Sequence, residues 1–229
     1  MRPIPLPVPL LPAGIAVFRL DLDLDTEPGA LRASLAPDED ARMQRFVQRA
    51  DRVRFAAART ALRGLLAERM GCAALDVRFE SGPHGKPFVR GAPRFNVAHS
   101  GAHALIALAD AAAGLEVGVD IERCTPGIDI AGMGQLVFSP AEREALRTAD
   151  DPLAGFYLRW TGKEAVLKAI GVGIADHLQS IDIAPGAGDA IAIGTRMPAW
   201  AMARAVRLEA PPGYAAALAW VPAPTSVRG

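Results

Sequence analysis

Apolar and polar residues alternate through "GIAVFRLDLDL" (Gly14–Leu24), which predicts a strand with one wet face. Two stretches with helical spacing follow, "LRASLAPDEDARMQRF" (31–46) and the alanine-rich "DRVRFAAARTALRGLLAERMG" (51–71), the second closed by Gly71. "VRFESGPHGKPFV" (77–89) reads as a strand, a Gly/Pro turn and another short extended piece. "RFNVAHSGAHALIALAD" (94–110) has strand character on both sides of a Ser-Gly turn. Beyond the waist "AAAG" (111–114), Val117, Val119 and Ile121 predict a further strand. "SPAEREALRTAD" then forms a helix capped by Ser139, and "DPLAGFYLRWTGKEAVLKAIG" a long helix stopped by Gly171. "SIDIA", "DAIAIG" and "YAAALAWV" supply the last strands, and "PAPTSVRG" a frayed tail. At the other end, the prolines of "MRPIPLPVPLLP" forbid the helical core of a signal peptide and predict an extended arm or edge segment. Strands and helices do not alternate strictly, so the class is α+β. Residues 1–112 and 113–229 form two halves, each with strands and one long helix.

With 51% hydrophobic residues among 229, the chain has ample material for a core. Its 25 basic and 25 acidic residues cancel, so no global field favours nucleic acid or an anionic membrane. No apolar run reaches the roughly 18–20 residues of a membrane span. Cys72 and Cys124 lack metal-ligand spacing and read as free thiols of a reducing, cytoplasmic compartment.

The strand "VGVDIER" (117–123) poses a physical problem. Side chains two apart on a strand share a face, so Asp120 and Glu122 lie together with Cα atoms roughly 6–7 Å apart. At an effective dielectric near 20, like charges about 6 Å apart repel by roughly 3 kcal/mol. On the long helix, Trp160, Glu164 and Lys168 form one stripe at i, i+4, i+8. Glu164 and Lys168 alone would be an ordinary surface pair. Joined to the two strand carboxylates, Glu164 instead completes an oxygen-rich site suited to Mg²⁺, whose charge would offset the repulsion.

Such a cation predicts a phosphate-bearing partner. "GKP" (Gly85, Lys86, Pro87) puts a lysine in a tight turn where backbone and ammonium could both meet a phosphate. Arg52, Arg54, Arg59 and Arg63 crowd one helix, either as a solvated face or as phosphate-binding forks. His99, beside the Ser-Gly turn, is either structural or a donor to a diphosphate.

"GKP", "FNVAHS", "GVDIE", "FSPAE" and "WTGKEAVLKAIG", in this order, resemble the 4′-phosphopantetheinyl transferases of the Sfp type over about Arg42–Gly173. The resemblance implies an Mg²⁺-dependent enzyme that moves the phosphopantetheine arm of coenzyme A onto a serine hydroxyl of an acyl, peptidyl or aryl carrier protein, releasing adenosine 3′,5′-bisphosphate. It implies two similar α+β halves about a pseudo-twofold axis, with coenzyme A and Mg²⁺ in the cleft between them. By position, Asp120, Glu122 and Glu164 match the metal carboxylates, Lys163 and Lys168 phosphate contacts, and His99 a diphosphate donor. Gly85, Lys86 and Pro87, with Arg54 or Arg59, match the adenine and 3′-phosphate end. Glu142 matches the acidic residue that helps deprotonate the serine. Ala98 stands where the family usually has serine; at Glu39 some relatives carry a lysine, with Arg42 the nearest replacement. Two halves sharing one cleft would make a monomer self-sufficient.

Two other readings differ in class. A metal-dependent nuclease can also begin from Asp-x-Glu on a strand, but needs further acidic ligands and a basic groove. A non-catalytic carrier-binding module would be expected to lack a metal carboxylate, whereas all three are present.

Overall fold

The computed structural model describes residues 2–9, 11–82 and 85–224; Pro83 and His84 of the predicted turn, and the predicted tail from Thr225, lie outside them. In the first half, β1 (Ile4–Pro5) and β2 (Ile15–Asp21) precede α1 (Pro37–Gln44) and α2 (Arg49–Met70). A short hairpin, β3 (Glu80–Ser81) and β4 (Pro87–Phe88), leads to β5 (Arg94–Ser100) and β6 (His103–Ala109). In the second half, β7 (Leu115–Arg123) is followed by α3 (Ile130–Val137), α4 (Pro140–Arg147), α5 (Pro152–Ile170) and α6 (Ile174–His177). The strands β8 (Ile181–Pro185), β9 (Ala190–Thr195), β10 (Arg204–Arg207) and β11 (Tyr214–Pro222) end it. One sheet runs β1-β2-β6-β5, another β7-β11-β10-β9-β8. The proline-rich arm is an edge strand, Ile4 and Pro5 opposite Arg19 and Phe18, where a missing N–H is tolerated.

Residues 31–46 do not form one helix. A 3₁₀ turn covers Pro28–Ser34, and α1 starts only at Pro37. The proline ring disfavours helical backbone at Ala36, which is extended with ψ 158°. The sequence reading also misses α3, α6 and β10, which at four to eight residues are too short for a period to register.

Three clusters of buried side chains order the layers. Helix α2 presses Ala61, Leu62 and Leu66 against Leu20, Ile106 and Leu108 of the first sheet. Helix α5 sets Phe156, Ala165 and Ala169 against Ile181, Ile183 and Ala217 of the second. Between the sheets, Val17, Ala98 and Leu105 meet Val117, Val119, Ile121 and Leu218. Burying Val117, Val119 and Ile121 contributes on the order of 5–9 kcal/mol, more than the carboxylate repulsion on the same strand takes away.

The opposite face of β7 meets α5 at very short range. A Cβ on Gly118 would lie 2.1 Å from the Ala165 carbonyl oxygen and 2.3 Å from the Ala169 nitrogen, so only glycine lets the helix settle onto the strand. The edge of β7 not paired with β11 runs beside β5. There Asn96 Oδ1 accepts from the Val119 N–H at 2.9 Å and Ser100 Oγ from the Arg123 N–H at 3.0 Å.

Candidate active site at the junction of the sheets

The close approach of β7 and α5 brings Asp120, Glu122, Glu164 and Lys168 together. Asp120 is 2% exposed, and Lys168 Nζ donates to its Oδ1 at 2.6 Å while pairing with Glu164 Oε2 at 3.0 Å. Burial pushes the Asp120 carboxyl up to about 7; Lys168 opposes the rise, and the charges of Glu164 and Glu122 add to it. Glu122 is also raised, by burial first and then by Glu164, although Ser100 Oγ donates to its Oε2 at 2.8 Å. Burial works against the charge on Lys168, but Asp120 and Glu164 outweigh it and raise its pKa.

The structure thus supplies a cation of its own for the carboxylate repulsion: the Lys168 ammonium stands beside Asp120 and Glu164. Among the described residues, no three His, Cys, Asp or Glu side chains are arranged to hold a metal ion as they stand. One feature still suits a hard cation. Asp120 Oδ2 is buried with no hydrogen-bond partner, in company with two further carboxylates.

The first half contributes from the facing side. Arg54 on α2 donates through Nε to the Gly101 carbonyl at 2.7 Å and through Nη1 to Asp51 Oδ1 at 2.7 Å. His99 comes near enough to Arg54 and Lys168 that, after burial, their charges lower its pKa. Lys86 reaches across the halves, donating to the Lys168 carbonyl at 2.9 Å and pairing with Glu116 Oε2 at 3.3 Å. Burial lowers its pKa against the pull of Glu116. Gly85 takes φ +76°, and Lys86 and Pro87 line a cavity of about 430 Å³ with Phe95, Glu116, Ile170 and Gly171.

Three expected site residues lie elsewhere. Lys163 is fully buried, donating to the Leu178 carbonyl at 2.7 Å and to the Ile181 carbonyl, and pairing with Glu142 Oε2 at 2.7 Å. Neighbouring helical residues point about 100° apart, so Lys163 faces the core when Glu164 faces the junction. Glu142 is 4% exposed and accepts from the Ser139 and Ile183 N–H groups at 2.9 and 2.8 Å. It closes a capping box on α4 and ties that helix to β8, so both its carboxylate oxygens are engaged in the interior. Arg59 sits about 140° round α2 from Arg54. Its guanidinium lies over Phe79 at 3.9 Å and 3.6 Å from Glu39 Oε1, in the interior of the first half. Glu39 itself is buried and bound by Arg63 Nε at 2.8 Å, while Arg42 covers Phe55.

Two family models match this chain: "4′-phosphopantetheinyl transferase, N-terminal" over residues 27–111 and "4′-phosphopantetheinyl transferase superfamily" over 116–219. The 4′-phosphopantetheinyl transferase HetI of Nostoc sp. is 34% identical over 201 residues, covering 84% of this chain and 83% of HetI. The chain belongs to the 4′-phosphopantetheinyl transferase family. A Synechocystis sp. protein provisionally assigned to the same family is 37% identical over 156 residues, which are 66% of this chain and 62% of that protein. Helicobacter pylori holo-[acyl-carrier-protein] synthase, solved in complex with coenzyme A, overlaps 45% of this chain and 96% of its own at TM-score 0.35 and 23% identity.

In this member of the 4′-phosphopantetheinyl transferase family, the motif reading misses Ser100 and Asp51, which hold Glu122 and Arg54. A signal for Ser100 existed: alternation along "FNVAHS" puts Ser100 on the strand face opposite His99, toward β7.

Proposed function

We propose that the chain transfers 4′-phosphopantetheine from coenzyme A to a serine hydroxyl of an acyl or peptidyl carrier protein, releasing adenosine 3′,5′-bisphosphate, and that it does so as a monomer with Mg²⁺. The observation that carries this is the buried Asp120–Lys168–Glu164 group facing His99 and Arg54 across the junction. Membership of the family supports it. In the step, the serine oxygen bonds to the β-phosphorus, the bond from that phosphorus to the bridging oxygen breaks, and the serine proton passes to a base. Lys168 and His99 would stabilise charge on the diphosphate, and Arg54, Gly85, Lys86 and Pro87 would hold the nucleotide end. The base belongs among the carboxylates of the junction, not to Glu142.

The donor set fits Mg²⁺, with oxygens from Asp120, Glu122 and Glu164 and the unpartnered Asp120 Oδ2. When bound it would supply positive charge to the diphosphate oxygens. The halves 1–112 and 113–229 would then be the nucleotide side and the metal side. Cys72 and Cys124 are free thiols, in keeping with a cytoplasmic setting, and no helix among the described residues is long and apolar enough to cross a membrane. The test is the intact mass of an apo acyl carrier protein after incubation with coenzyme A and Mg²⁺. A gain of one phosphopantetheine group, abolished by EDTA, is expected; an unchanged carrier across acyl and peptidyl types would refute the reading.

A further inference from the structure

The turn joining β5 to β6 is gripped from both halves of the molecule. From the first half, Arg54 Nε donates to the Gly101 carbonyl at 2.7 Å, and the Leu22 N–H donates to the Ala102 carbonyl at 2.8 Å. From the second, Ser100 Oγ is held by the Arg123 N–H and donates to Glu122. The fourth grip is Tyr214, the first residue of β11. Its hydroxyl accepts from the Ala102 N–H at 3.0 Å, and its ring stands edge-on to His103 with centroids 4.7 Å apart. Tyr214 pairs in the β11–β7 ladder with Arg123, next to Glu122 opposite Ala215.

Gly101 records how closely the tyrosine is fitted. It takes φ +53°, and a Cβ there would lie 2.1 Å from the Tyr214 hydroxyl oxygen and 3.0 Å from the ring carbon bearing it. The turn has room for the phenol and no room for any side chain of its own. On β5, which enters that turn, His99 and Ser100 point to opposite faces, and Ser100 holds Glu122.

We infer that Tyr214 is a positioning residue for the transfer reaction. Its hydroxyl fixes the β5–β6 turn of the first half against the second, and thereby sets His99 and Arg54 relative to Glu122. This rests on the transferase reading above. The hydroxyl of Tyr214 bonds to Ala102 and its ring stands on His103, neither of them a group assigned to substrate, so it acts through the turn. Displacing reacting groups by a fraction of an ångström to 1 Å lowers turnover steeply, while leaving contacts that bind the substrate's remote parts largely in place. Tyr214→Phe keeps the ring against His103 and removes only the grip on Ala102.

The experiment measures carrier loading by wild type, Tyr214→Phe, Gly101→Ala and the double variant, with thermal melts of each. Wild-type loading establishes the underlying reading by itself; if wild type is inactive, that reading fails before the variants are compared. Given an active wild type, Tyr214→Phe is expected to lower kcat by about tenfold or more with KM for coenzyme A within about twofold and little change in Tm. Gly101→Ala should lose turnover likewise. Its further effect should be smaller when Phe occupies position 214, because the 2.1 Å contact with the hydroxyl is then gone. Unchanged kcat in Tyr214→Phe overturns the inference. So does a loss that follows the folded fraction or raises KM for coenzyme A as much as it lowers kcat, and so does strict additivity in the double variant.

Discussion

Replacing Asp120 by asparagine should change the pH dependence of stability in a definite direction. The Asp120 carboxyl is held at about 7 in the folded chain, against 3.8 for an unhindered aspartate, because burial and the charges of Glu164 and Glu122 outweigh Lys168. Between those two values the folded state binds more protons than the unfolded one, so stability falls as pH rises and levels off above 7. At about 1.4 kcal/mol per tenfold change, the full penalty is on the order of 4 kcal/mol, of which about 2 kcal/mol accrues between pH 5 and pH 7. Asparagine does not titrate. Asp120→Asn should therefore gain about 2 kcal/mol relative to the parent over that interval, whatever its offset at pH 5. Urea melts at pH 5, 6, 7 and 8 in EDTA measure this. A difference between the two proteins that does not vary with pH would refute it, and would mean that Asp120 stays ionised throughout, fully matched by Lys168. A widening difference of the opposite sign would refute it too.

Lys163→Met should destabilise by about 3–5 kcal/mol in urea melts, because it strands Glu142 in the core; a loss under 1 kcal/mol would contradict the buried pair. Gly118→Ala should cost far more than Gly162→Ala. The new methyl would strike α5 backbone at 2.1 Å in the first and the Ile183 side chain at 3.0 Å in the second; equal melting temperatures would argue against the β7–α5 contact. Coenzyme A should raise Tm more with Mg²⁺ than with EDTA if metal and diphosphate share ligands, and equal shifts would count against shared ligands.

Much of the frame was legible because it rests on period. Gly71 and Gly171 end α2 and α5 with φ +67° and +83°, as the closing glycines of two periodic runs should. Asp120 and Glu122 face α5 because residues two apart on a strand must share a side. The depth of the site was not legible. Spacing shows that Glu164 and Lys168 can pair, but only the packed Gly118 contact shows that Lys168 reaches Asp120. The misplaced residues had readable signals. Trp160, Glu164 and Lys168 lie on a stripe that Lys163 leaves by 100°, and Ser139-x-x-Glu142 is itself the spacing of a capping box. Motif resemblance treats adjacent letters as one unit; helix geometry separates them.

The nine residues of β7 carry two messages on opposite faces: Val117, Val119 and Ile121 toward the other sheet, Gly118, Asp120 and Glu122 toward α5 and the junction. Letters can be exchanged on either face without rewriting the other. Length cannot. Removing or inserting one residue would turn the carboxylates into the gap between the sheets and the valines toward the site. Lineages descended from this chain are thus bound to the residue count of β7 as firmly as to Gly118, Asp120 and Glu122 within it, whereas the turn at Gly186–Asp189 between β8 and β9 carries neither message.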